Sequence, residues 1–236
     1  MSIAENVARI RKEMEAAAIA AGRDPKSVLL CAATKMNDAA AVREAIRAGV
    51  DCCGENKVQE LTQKLAENAY EGAPVHFIGH LQTNKVKQVV GKVDLIQSVD
   101  SERLLKAIDK EAARQGITQN ILLEVNVGGE ESKSGFAPDE VLPLLDKIAQ
   151  YPNIRVKGLM AIPPISQKNG DNVKFFQKMC NISVDINAKK YDNVMVDYMS
   201  MGMSDDYVDA IHCGSTMIRV GTAIFGARDY TKLHQP

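Results

Sequence analysis

Three kinds of residue at the ends of apolar runs could together do one kind of chemistry: a lysine, Lys35; two small polar turns, Ser200-Met201-Gly202 and Gly221-Thr222; and an arginine, Arg219. Lys35 closes the run Val28-Leu29-Leu30-Cys31-Ala32-Ala33-Thr34. An ammonium half removed from water there has a lowered pKa, and its free amine is a nucleophile toward carbonyl carbon. Taken alone, the stretch reads first as a solvated lysine ending a strand. The two turns offer hydroxyls and unhindered backbone N–H groups, which suit an anion such as phosphate. Each by itself reads as an ordinary turn. Arg219 stands two residues before Gly221, so strand alternation directs both to one face. A guanidinium there needs an acceptor, either a carboxylate inside the fold, such as Glu124 or Asp197, or the ring nitrogen of a bound aromatic. A carbonyl-capturing lysine, a phosphate cradle and a ring-nitrogen partner are together what holding pyridoxal 5'-phosphate requires.

Two further strand-end residues join the candidate set. Asn56, with Gln59 three residues on, could cap a helix or face a ligand, and the two roles are compatible. His80 follows Gly79 in a loop, where a histidine is commonly satisfied by its structural neighbours. No Ser/His/Asp ordering, no H-E-x-x-H and no carboxylates at metal-ligand spacing are present, so hydrolytic and metal-dependent readings have no footing.

The elements that position these residues alternate regularly. Ser2 and Glu5 form a capping box ahead of a helix bearing Ile3, Val7, Ile10 and Met14. The first strand, around Val28–Lys35, is followed by a helix from Asp38 to Gly49, and a second short strand spans residues 50–54. Further strands are predicted at 75–78, 95–98, 121–125, 154–160, around 197–199 and at 217–220. Helical segments begin near Thr83, Ser101, Pro138, Asn172 and Ser204. A polar loop, 128–135, is longer than its neighbours. Eight strands, each followed by a helix, without a linker or a second composition regime, predict one α/β domain over residues 1–236, a single (β/α)8 TIM barrel with an extra N-terminal helix. An open doubly wound sheet is the alternative, but no G-x-G-x-x-G follows the first strand.

Composition agrees with a chain of this kind. Twenty-nine basic side chains are interspersed with 30 acidic ones for a formal charge of −1, which excludes a nucleic-acid footprint. The five cysteines are odd in number and lack C-x-x-C spacing, which points to a reducing cytoplasmic setting and no structural zinc. No apolar run approaches the ~18 residues that span a bilayer, and the chain is read as a cytoplasmic monomer without membrane contact.

At the residues above, the sequence resembles the pyridoxal phosphate homeostasis protein family, single barrels similar to the barrel domain of alanine racemases. The matching stretches are Ala33-Thr34-Lys35, residues 54–60 (GENKVQE), 76–85 (HFIGHLQTNK), 131–135 (ESKSG), 158–160 (GLM), 200–206 (SMGMSDD) and 219–226 (RVGTAIFG). The resemblance implies Lys35 as the lysine that forms the Schiff base, Ser200, Gly221 and Thr222 at the phosphate, and Arg219 beside the pyridine nitrogen. The chain departs from the family at Asp38, often proline there, and lacks a tryptophan that relatives often carry just before residues 74–76. Two functions compete: a non-catalytic carrier that stores, buffers or delivers the cofactor to apo enzymes that use it, and an amino-acid racemase. Only ten residues follow Gly226, which leaves no room for the second domain that supplies a racemase's opposing base, and Arg219 at the ring nitrogen weakens the cofactor as an electron sink. His80 and Tyr198 are the nearby groups that could stand in for that base. The carrier is therefore expected. A Schiff-base aldolase would use Lys35 and the phosphate loops but leaves Arg219 without a purpose.

Overall fold

The computed structural model describes residues 1–165, 168 and 170–226. Eight parallel strands close into a barrel in sequence order: β1 (Leu29–Ala33), β2 (Cys52–Glu55), β3 (Val75–Phe77), β4 (Leu95–Val99), β5 (Gln119–Val125), β6 (Ile154–Ala161), β7 (Val194–Ser200) and β8 (Met217–Val220). Closure is made by β8 against β1, with Leu30 opposite Ile218 and Cys31 opposite Arg219. The α/β barrel expected from the alternation is the fold observed.

The leading helix, α1 (Ile3–Ala20), carries the expected capping box, Ser2 accepting from the Glu5 N–H and Glu5 accepting in return. It lies outside the barrel, and the Asn6 amide donates to the Ile224 carbonyl at 2.9 Å. The following helices are α2 (Ala39–Arg47), α3 (Val58–Ala66), α4 (Glu102–Gln115), α5 (Val141–Leu145), α6 (Val173–Lys189), α7 (Tyr207–His212) and α8 (Thr222–Phe225). Asp38 caps α2 by accepting from Ala41 N–H at 2.9 Å, so this residue starts the helix by a hydrogen bond. Between β3 and β4 the expected α-helix is a 3₁₀ turn, Thr83–Gln88, preceded by Gln82 with no side-chain cap. Val86 within it and Val89 and Val90 just beyond it are all buried. The seventh strand is longer than expected, and β2 runs on to include Glu55.

Strand alternation divides the core in two. Leu30, Ala32, Cys53, Phe77, Ile96, Leu123, Leu159, Ile218 and Val220 face outward into the layer between barrel and helices. Cys31, Cys52, Leu95, Leu122, Met160 and Met217 fill the barrel interior, with Leu29 and Tyr198 against them.

Candidate functional site

Lys35 lies in a turn two residues beyond the end of β1, half-buried. The chain reverses there through Met36 at φ 63°, and Met36 N–H donates to Glu60 Oε2 at 2.6 Å. Its base is fixed from below. Lys64 on α3 donates to the Thr34 carbonyl at 2.7 Å and to Glu55 Oε1 at 2.5 Å, while the Thr34 hydroxyl donates to the same carboxylate oxygen. Thr34, Glu55 and Lys64 are all buried. This ion pair, which sequence inspection missed, clamps the end of β1 to the end of β2.

The two phosphate-type turns lie next to each other and next to this lysine. A Cβ on Gly221 would meet the Cβ and carbonyl of Ala33 at 3.4 Å, which sets the end of β8 against the strand that leads to Lys35. Thr222 is exposed at the start of α8. Ala223 N–H donates to Ser204 Oγ at 3.4 Å, tying the loop after β8 to the loop after β7. Gly202 has φ 97°, and a Cβ there would lie 2.6 Å from Ala210 Cβ and 3.0 Å from Tyr207 Cα, so only glycine fits. Met201 is buried and its N–H donates to the Met217 carbonyl at 3.1 Å.

Arg219 is buried inside the barrel. Its guanidinium donates to the Ser200 carbonyl at 2.8 Å, Ser200 Oγ at 2.6 Å and the Ala161 carbonyl at 2.8 Å. The carboxylate pairings considered for it do not form: Asp197 pairs with Lys157, and Glu124 makes no ion pair with it among the described residues. Burial pulls the Arg219 pKa down, and the negative charges of Cys31, Glu124 and Asp206 oppose that. Burial pushes Glu124 up to about 7, with the Asp100 charge adding to the effect and Arg219 and His80 opposing it. The Ser200 hydroxyl, expected to face a phosphate, instead donates to Gln97 Oε1 at 2.6 Å; holding a phosphate through it would require that bond to be exchanged. Gln97 Nε2 in turn donates to His76 Nδ1 at 2.9 Å, completing a buried line from Arg219 across the barrel floor.

Asn56 does not cap α3. The residue before that helix is Lys57, without a side-chain cap, and the buried Asn56 Oδ1 has no hydrogen-bond partner. Gly79 lies against its backbone, where a Cβ would come within 2.1 Å of the Asn56 carbonyl oxygen. His80 is exposed, with Nδ1 3.0 Å from Asp100 Oδ2 and 3.5 Å from Ser134 Oγ, so it links three strand-end loops.

Residues 2–229 match the family model described as alanine racemase, N-terminal domain. A curated relative from Pseudomonas aeruginosa, named pyridoxal phosphate homeostasis protein, is 41% identical over 229 residues, 97% of each chain. The chain belongs to the pyridoxal phosphate homeostasis protein family. Within that family, the Escherichia coli K12 protein is 39% identical over 233 residues, 98% of each chain. PipY of Synechococcus elongatus, solved with PLP bound, is 32% identical with a TM-score of 0.81, covering 95% of this chain and all of PipY.

Proposed function

We propose that this protein holds pyridoxal 5'-phosphate at the carboxyl-terminal mouth of the barrel and serves to store, buffer or deliver it rather than to turn over a substrate. The observation that carries the reading is the β8–β1 closure, which sets Gly221 and Thr222 beside the strand that ends in Lys35. The name and bound ligand of the relatives support the same cofactor. When bound, the group supplies an aldehyde and an electron-withdrawing ring.

The chain's own residues would hold it as follows. Lys35 would hold the group by its amine, at the aldehyde the group supplies, and so keep the ligand from leaving. Gly202, Gly221 and Thr222 give the phosphate a backbone without Cβ obstruction and a hydroxyl donor, with Met201 shaping the turn. Ser200 fixes Arg219, which has spent three of its five N–H groups on the barrel wall and can offer the others to a ring nitrogen. A donated hydrogen bond occupies the nitrogen lone pair and opposes its protonation, so the ring withdraws electrons less. The orphaned Asn56 Oδ1 has an acceptor to spare for a ligand donor, and His80 keeps the surrounding loops together. The fit is therefore good for retention.

One observation favours the racemase reading: Glu124, pushed up to about 7, faces the barrel interior and could exchange a proton near neutrality. Loaded protein mixed with L-alanine, L-serine or L-glutamate in deuterated water separates the two. The carrier reading expects no α-proton exchange at enzymatic rates, together with reactivation of an added apo enzyme that uses the cofactor. Exchange at rates of ~1 per second or more, abolished in Glu124→Gln, would establish the racemase instead.

A further inference from the structure

Beneath the mouth the barrel interior is unusually rich in sulfur. Of the six buried side chains in its inner cluster, Cys31, Cys52, Met160 and Met217 carry it, and none has a part in the cofactor site above. Cys31 on β1 stands directly opposite Cys52 on β2, and His76 on β3 is opposite Gly54, two residues further along β2. One ligand atom from each of Cys31, Cys52 and His76 lies within 4.8 Å of the other two. The room is kept open by Gly54, where a Cβ would come within 3.0 Å of Cys31 Sγ. All three residues are buried, and the two cysteines are free thiols.

We propose that Cys31, Cys52 and His76 form a binding site for a soft monovalent cation, copper(I). Thiolate, imidazole and thioether are the ligands such an ion selects. Three donors converge here with Met217 behind them, its sulfur 3.1 Å from Gln97 Nε2, whereas zinc asks for four ligands in a tetrahedron. Arg219 stands opposite Cys31 on β8, buried and bonded only to carbonyls and a hydroxyl in the contacts above, and offsets one of the two thiolate charges. Gln97 supplies the outer contact: with the ion on His76 Nε2 the ring proton sits on Nδ1, and the Gln97 amide, turned over, accepts it. Binding replaces the thiol protons, which leave to solvent, and no electron is transferred.

The test is a prolonged anaerobic equilibration of the purified protein with copper(I) buffered by the chromogenic chelator bicinchoninate, followed by X-ray absorption of the retained metal. The expected result is one copper per chain with two sulfur and one nitrogen neighbours, at least a hundredfold weaker retention in Cys31→Ser and Cys52→Ser, and unchanged retention in Cys180→Ser and Cys213→Ser. Those last two cysteines form the competing location, since the Cys180 thiol donates to the Cys213 carbonyl at 2.5 Å. Absence of retention, loss only in the Cys180 or Cys213 variants, or zinc held in preference to copper would each overturn the proposal. If the inner cysteine variants fail to fold, the neighbour count on the wild-type protein decides alone. Cofactor chromophore read on the same samples keeps this result separate from the cofactor reading.

Discussion

Replacing Lys64 with methionine tests whether the base of Lys35 is held by a buried charge pair. Lys64 Nζ lies 2.5 Å from Glu55 Oε1 and 2.7 Å from the Thr34 carbonyl, and the Glu55 side chain is completely buried with Oε2 unpartnered. Methionine keeps most of the volume but leaves the carboxylate without its cation. Removing one partner of a buried pair costs about 3–5 kcal/mol. With an unfolding entropy of about 2.1 cal/mol/K per residue over 236 residues, that corresponds to a melting temperature lower by about 6–10 °C. The double variant Lys64→Met with Glu55→Gln removes both charges and should recover most of the loss. Thermal and denaturant melts of the three proteins measure this, with cofactor affinity followed in parallel because the Thr34 carbonyl precedes Lys35. A single variant within about 1 kcal/mol of wild type, the scale of an exposed pair, would show that the clamp carries no such weight.

Three other outcomes follow from particular contacts. Thr222→Val removes a hydroxyl from the exposed start of α8, and losing a hydrogen bond to a charged group, worth about 1.5–3 kcal/mol, should weaken pyridoxal phosphate binding about tenfold or more while leaving pyridoxal nearly unchanged; equal losses for both ligands would place Thr222 away from the phosphate. Glu124 has a folded pKa above its unfolded value, so the native state binds the extra proton and wild-type stability should decline as pH rises from about 4.5 to about 7; Glu124→Gln should flatten urea-melt midpoints across that window. Asp38→Ala deletes the α2 cap and should cost about 1 kcal/mol by chemical denaturation without altering cofactor affinity.

Much of the scaffold was legible because its signals are local. Ser2 with Glu5, Asp38 and Ser101 announce helix starts by side-chain hydrogen bonds to backbone two or three residues on, and Gly116 at φ 66° ends α4. Apolar runs bounded by turns located the eight strands. Contacts across strands were not legible in the same way. Cys31 meets Cys52, and Arg219 meets Ser200 and Ala161, through barrel register, and nothing in the intervening sequence encodes which inward residues share a height. Glu55 and Lys64, nine residues apart across a strand end and a helix, carry no local signal that pairs them. The Asn56 cap failed for a related reason: β2 runs one residue further than its apolar stretch suggests, which moves the helix boundary to Lys57. Ser200 was identified as polar at a strand end, but only the fold shows that its hydroxyl is spent between Arg219 and Gln97.

The most direct measurement is on the Lys35 side chain itself. Protein incubated with pyridoxal phosphate, treated with borohydride and digested should carry the reduced cofactor on the peptide containing Lys35, and Lys35→Ala should remain folded while losing both the near-visible absorbance and the label. A label on any other lysine, or an unaltered reducible chromophore in Lys35→Ala, would contradict the account.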